Sequence, residues 1–279
     1  MKDAIRAAAE EKLLIAAHRG TAGGNIPCNS SAAFEAALVQ GADILEIDIT
    51  KSLDDELFVF HPGMEPFHLG SEINITKMTA DEVRGLRYVN GDGVETTCGI
   101  STLDEVLETF GRRVFINLDK FFDNPKEITD CVRRHNLQDR VVVKFYPVEE
   151  CFDLLEQMAP DIPCMPFLWN EDDYTDELLE RDIRLIGSEV HFSDDDSEIA
   201  SREYVKKMHG KDLIVWANAI VFNYKTVENA GHSDDISVTG NPDNGWGWLA
   251  GRGFDIIQTD WVLPMRTYLN EKGLLYRKK

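Results

Sequence analysis

An alternation repeated along most of the chain restricts the fold more than any other feature. Short apolar runs are each followed by a segment with apolar residues at helical spacing, and the main runs number eight: 13–17, 43–50, 114–119, 141–145, 164–168, 183–188, 213–217 and 256–258. Unbroken β-branched runs such as Val141-Val142-Val143 suit parallel strands covered on both faces. Helical spacing is expected over 32–40, 79–86, 102–110, 126–135, 148–158, 175–181, 197–208, 246–251 and 263–272. Eight strand–helix units at this length predict an α/β fold of the TIM type, a closed (βα)8 barrel in one domain. Residues 57–61 read as a short extra strand folding back on the second, and the alternation lapses over 62–100, which therefore reads as a small insertion capping the barrel mouth. A second long loop is expected over 223–244.

The net charge of −21 disfavours phosphate backbones and anionic lipid surfaces, so neither nucleic acid nor stable membrane association is expected. No apolar run approaches the roughly 18 residues of a membrane span. Residues 1–12 are charged and helix-prone, with no secretory pattern after them, and the chain reads as cytoplasmic. The five cysteines, Cys28, Cys98, Cys131, Cys151 and Cys164, have the odd count and loose spacing of reduced thiols. The sequence leaves the oligomeric state open.

The chemistry concentrates between Ala16 and His61. Along the second strand the residues alternate, which sets Glu46 and Asp48 on one face and Leu45, Ile47 and Ile49 on the other. Two carboxylates side by side in a buried setting require a shared proton or a cation, and a cation is the preferred reading. His18 ends the strand before them and His61 the one after, as a metal-assisted acid–base site requires. In a barrel the carboxyl ends of the strands carry the chemistry, and His18, Glu46, Asp48, Asp119, Lys144 and Trp216 all fall there.

Several stretches in order resemble the glycerophosphodiester phosphodiesterase family, whose barrel is similar to that of the phosphatidylinositol phospholipase C-like phosphodiesterases. They are His18-Arg19-Gly20, Pro27-x-Asn29, Ala33-Phe34, Gly41-Ala42-Asp43 with Glu46-x-Asp48, Val59-x-His61, Thr102 to Leu107, Ile116-Asn117-Leu118-Asp119, Ile214-Val215-Trp216 and Thr259-Asp260. The resemblance spans the chain. It implies a phosphoric diester hydrolase that splits a small-molecule glycerophosphodiester into glycerol 3-phosphate and an alcohol through a cyclic phosphate, with His18 and His61 as acid and base. It also implies Glu46, Asp48 and Asp119 as ligands to a divalent metal; hard oxygen donors favour Ca2+ or Mg2+. Arg19 offers a guanidinium for phosphate. Asn29, Lys120, Lys144 and Trp216 complete the expected substrate contacts, although Lys144 could instead be a snorkelling side chain and Trp216 could simply fill the barrel mouth.

The chain departs from the family pattern at four places. Cys28 replaces an acid, Pro62 replaces the aspartate after the second histidine, Asp119 replaces a glutamate, and the lysine expected at 121 stands at 120. Two alternatives follow: a weakened barrel that binds phosphodiesters or polyol phosphates without turnover, and the same chemistry on a lysolipid or teichoic-type diester. His68, His135, His191, His209 and His232 read as structural or surface residues. The dinucleotide-like run at 245–250 and the acceptor-like Asn29-Ser30-Ser31 and Asn74-Ile75-Thr76 read as chance matches.

Overall fold

The computed structural model describes residues 3–221, 226 and 228–277. Among them ten strands form: β1 (Leu14–His18), β2 (Ile44–Lys51), β3 (Leu57–Val59), β4 (Phe115–Asp119), β5 (Val141–Phe145), β6 (Pro163–Trp169), β7 (Arg184–Leu185), β8 (Gly187–His191), β9 (Ile214–Asn218) and β10 (Ile256–Thr259). β1, β2, β4, β5, β6, β8, β9 and β10 are joined by parallel pairings, and β1 pairs with both β2 and β10, closing the barrel. β3 folds back antiparallel on β2, as the sequence predicts, and β7 extends the edge of β6. Part of the loop expected over 223–244, namely residues 223–225 and 227, lies outside the described residues.

Period-two alternation sorts the strands' side chains into two cores. Inward residues such as Ala16, Ile44, Val142, Met165, Trp216 and Ile256 fill the barrel, and Ile5 and Ala9 of the helix Ala4–Glu11 plug its floor. Outward residues such as Ile15, Ile47, Leu118, Val143 and Val215 pack under the surrounding helices. The insertion has its own small core around Phe58, Phe60, Ile75, Val83 and Tyr88. Helix starts are locally encoded: Thr79 with Glu82 and Thr102 with Glu105 form complete capping boxes, and Ser30 caps the helix Ser31–Gln40. That helix ends at Gly41, whose φ of 93° favours glycine.

One strand lies further along the chain than the sequence suggests. The sequence predicts the strand over the apolar run 183–188, but Gly187–His191 makes the barrel ladder with β9. Gly187 permits the close approach to β9, since a Cβ there would lie 2.0 Å from the Ile214 carbonyl oxygen. The shift carries Glu189 and His191 into the barrel. Both are polar inward residues, which is why an apolar pattern stops short of them.

Candidate active site

Strand register assembles the site. His18 lies opposite Glu46 across β1 and β2, and Glu46 and Asp48 lie opposite Asn117 and Asp119 across β2 and β4. With inward alternation, these residues share one patch at the carboxyl ends of three neighbouring strands. Glu46, Asp48 and Asp119 each offer an oxygen, all within 4.8 Å of one another. Burial and the neighbouring carboxylates Asp48 and Asp119 push the Glu46 carboxyl up to about 7. One oxygen of Asp48, Oδ1, is buried with no hydrogen-bond donor among the described residues. Three hard oxygen donors, one of them unmet, fit a divalent cation.

Asp48 is held from its other oxygen. Asn29 Nδ2 donates to Oδ2 at 2.8 Å, and the Arg19 guanidinium lies 2.9 Å from the same atom. Asn29, expected at the substrate, is buried at 2% exposure and acts on Asp48 instead. Its backbone carbonyl accepts from Tyr88 of the insertion at 3.2 Å. Left-handed backbone at Arg19 (φ 55°) turns its N–H onto Glu46 Oε2 at 2.9 Å. Gly20 follows at φ 78°, where a Cβ would sit 2.8 Å from the Ala33 backbone. The His-Arg-Gly run is therefore a conformational requirement as well as a chemical one.

The two imidazoles are tethered alike. His18 donates from Nδ1 to Asp260 Oδ1 at 2.8 Å, and His61 donates from Nδ1 to the Pro62 carbonyl at 2.9 Å. Each tether leaves Nε2 as the remaining ring nitrogen; that of His61 lies 3.9 Å from Asp48 Oδ1. The proline at 62 lacks an acidic side chain, yet its backbone oxygen orients the ring. Burial opposes charge on His18, but Asp260 and Glu46 outweigh it and hold the ring above its ordinary pKa. Burial keeps His61 below its own, with Arg19 and Lys120 assisting against Asp48.

The displaced lysine also reaches the carboxylates. Left-handed backbone at Lys120 (φ 62°) folds Nζ to 2.6 Å from Asp119 Oδ2 and 4.0 Å from Asp48 Oδ1, while Phe121 is buried in the core. Lys144 is buried and pairs with Glu189 at 2.5 Å, with Nζ 3.6 Å above the Trp216 ring. Glu189 is thereby held down at about 2 despite its burial. Trp216, expected at the mouth, lies one layer lower and has no exposed surface, because the inward position nearest the mouth on β9 is Asn218. Cys28 lies 4.0 Å from His68 Nε2, and burial pushes its thiol up to about 11.

His18, Arg19, Glu46, His61, Asp119, Lys120 and Lys144 line one cavity of about 370 Å3. No residue from 62–100 lines it; the insertion meets the site through Tyr88, which bonds to the Asn29 carbonyl, and Pro62, whose carbonyl holds His61. Five further lining residues, Asn117, Glu189, His191, Asn218 and Gln258, have no distinctive sequence setting. His191 is therefore a cavity residue. His232 is a structural one, stacked on Trp248 and bonded to Asp195. The signal for Asn117, Asn218 and Gln258 is the strand period itself, two residues beyond the inward Phe115, Trp216 and Ile256, and Glu189 and His191 keep that period along β8.

A family model described as a domain of unknown function matches residues 164–269. A glycerophosphodiester phosphodiesterase from Caldanaerobacter subterraneus is 26% identical over 162 residues, covering 54% of this chain and 65% of that protein. The chain thus matches less than two thirds of the length of its curated relatives. The crystal structure of a glycerophosphoryl diester phosphodiesterase from Parabacteroides distasonis superposes with a TM-score of 0.75 at 16% identity, covering 97% of this chain and 93% of that one. This chain has the glycerophosphodiester phosphodiesterase fold. An Oleispira antarctica phosphodiesterase in complex with its product sn-glycerol-3-phosphate shares that fold at a TM-score of 0.66 and 18% identity, over 92% of this chain and 96% of the other. Within the glycerophosphodiester phosphodiesterase fold, His18, His61 and the three carboxylates stand together at the carboxyl ends of the strands, where barrel chemistry is done.

Proposed function

We propose that the protein is a phosphodiesterase that hydrolyses a glycerophosphodiester to glycerol 3-phosphate and an alcohol. One observation carries the reading: two imidazoles, each with Nδ1 tethered to an oxygen, line one cavity with Glu46 and Asp119, and Asp48 brings a third carboxylate oxygen within 4.8 Å of theirs. Glu46, Asp48 and Asp119 would hold a divalent cation, Ca2+ or Mg2+, which when bound supplies charge neutralisation at the phosphate oxygens. Arg19 and Lys120 add positive charge beside it. In the first step His61, whose neutral form burial favours, takes the proton of the glycerol hydroxyl, whose oxygen attacks phosphorus. The bond to the second alcohol breaks, and His18, whose protonated form Asp260 and Glu46 favour, gives its proton to the leaving oxygen. Water then opens the cyclic phosphate with the roles reversed: His18 takes the water proton, and His61 returns its own to the glycerol oxygen. The single barrel domain does this work, with 62–100 as its cap. The five free thiols agree with a cytoplasmic setting.

The test is glycerol 3-phosphate release from a panel of glycerophosphodiesters by the intact protein, His18→Ala and His61→Ala. Each variant is expected to lose on the order of 10²–10⁴-fold in rate while keeping its thermal midpoint. Either variant within a few-fold of the intact protein contradicts the acid–base assignment.

A further inference from the structure

The two sides of the barrel mouth differ in charge. Arg19 and Lys120 stand beside Asp48 of β2, where a phosphate is expected. Round the closed barrel, β8 is four strands from β2 in either direction and so faces it across the lumen. Beyond β8 a later segment returns to the strand: the Phe192 N–H donates to the Glu228 carbonyl at 3.0 Å, and the Ala230 N–H donates to the Phe192 carbonyl at 2.9 Å. Asn229 between them donates to the Asn218 and Ile220 carbonyls. Glu228 is thereby held at the far side, where it lines the cavity. Its side chain is only 14% exposed, yet no lysine or arginine among the described residues pairs with it. The ring of His191 comes nearest, with Nδ1 at 3.9 Å, beyond hydrogen-bond reach. Burial raises the Glu228 carboxyl above its ordinary pKa against the pull of His191, as expected of a charge short of a partner. Glu189, on β8 itself, differs in having Lys144.

An aromatic row adjoins this carboxylate. The rings of Tyr146 and Phe167 lie 5.2 Å apart, those of Phe167 and His191 5.9 Å, and Trp169 stacks on His191 at 4.9 Å. Tyr146, Phe167 and His191 line the cavity, and Tyr146 and Trp169 keep exposed surface. We infer that Glu228 and this row form a subsite for an ammonium group on the second alcohol of the diester, with Glu228 the residue that sets the preference. This rests on the phosphodiesterase reading. An ammonium diester is a zwitterion, and its two charges match the two sides of the mouth. A neutral alcohol leaves Glu228 unpaired, and an anionic one is repelled by it. A metal ion at this second place lacks donors, since it needs several oxygens and finds one carboxylate among rings. Ring faces and one carboxylate suit an ammonium, methylated or not, because neither attraction requires an N–H.

The experiment compares kcat/KM for glycerophosphocholine, glycerophosphoethanolamine and the neutral glycerophosphoglycerol with the intact protein, Glu228→Gln and Phe167→Leu. The inference predicts at least about a tenfold preference of the intact protein for one or both ammonium diesters over the neutral one. Preference for choline alone assigns the subsite to methylated ammonium, for ethanolamine alone to the primary amine. Both variants are expected to lose most of the preference through a higher KM for the ammonium diesters, with thermal melts confirming that they fold. Equal use of the three diesters, preference for the neutral one, or a preference undiminished in folded Glu228→Gln overturns the subsite and leaves the phosphodiesterase reading standing. Hydrolysis of none of them counts against that reading instead. The subsite is then decided by calorimetric dissociation constants for the same diesters: tighter binding of an ammonium diester supports it, and equal or weaker binding overturns it.

Discussion

At the scale of single residues, the site works by unequal treatment of two like side chains. His18 has a carboxylate on its Nδ1 and a second nearby, whereas His61 has only a peptide carbonyl on its Nδ1 and lies near Arg19 and Lys120. A general acid must be protonated and a general base must not, so under the proposed mechanism His18 is expected to set the alkaline limb of the rate profile and His61 the acidic limb. Asp260→Asn keeps an oxygen near the His18 ring but removes the charge that favours imidazolium. The alkaline limb of kcat/KM is expected to move to lower pH, with the acidic limb little changed. A pH–rate profile checks this, and an unmoved alkaline limb contradicts the pairing. Asp260 is fixed in turn by Asp234, which accepts from the Asp260 backbone N–H, the Thr259 hydroxyl and the Trp246 indole. Burial raises that carboxyl to about 6 even so.

At the scale of elements, register and capping decide which side chains meet. Thr102 and Glu105 satisfy each other's backbone N–H groups at the start of the helix Leu103–Phe110, which packs Leu103, Val106, Leu107 and Phe110 into the outer core. Thr102→Ala is expected to cost about 1 kcal/mol, read as a lower urea midpoint with an unchanged slope. The elements were largely legible in the sequence because their signals are local. Alternation over 43–50 puts Glu46 and Asp48 on one face, and Thr79-x-x-Glu82 stands at the start of the helix expected over 79–86. Less was legible where backbone conformation or neighbouring strands decide. Lys120 reaches Asp119 only through a positive φ, Pro62 orients His61 through its carbonyl, and Asn29 turns inward to Asp48. Trp216 lies deeper than the mouth because Asn218, two residues on, is the inward residue of β9 that reaches it. Glu189 and His191 escaped a reading built on apolar runs, since a polar barrel lumen breaks the pattern that marks a strand.

At the scale of the whole molecule, the barrel places a buried ion pair at its centre in a chain of net charge −21. Lys144 and Glu189 link β5 to β8 across the lumen. The Glu189 carboxyl sits at about 2 when folded, below its ordinary value of about 4.3. The pair's contribution is therefore present above that ordinary value and is lost as pH falls toward the folded one. Glu189→Gln leaves Lys144 buried without its partner carboxylate, at an expected cost of roughly 3–5 kcal/mol at neutral pH. Urea midpoints from neutral pH down through the acid range should fall for the intact protein and change less for the variant; parallel curves contradict the linkage. No helix among the described residues is long and apolar enough to cross a membrane, and the cavity opens at the strand ends that carry the carboxylates. The decisive measurement is phosphorus NMR of glycerophosphodiesters incubated with the protein and Ca2+ or Mg2+, with and without chelator. The diester signal is predicted to give way to a cyclic phosphate and then to glycerol 3-phosphate, and to persist when the metal is removed. A diester signal unchanged across the panel, with metal bound and the protein folded, contradicts the assignment of this site to phosphodiester hydrolysis.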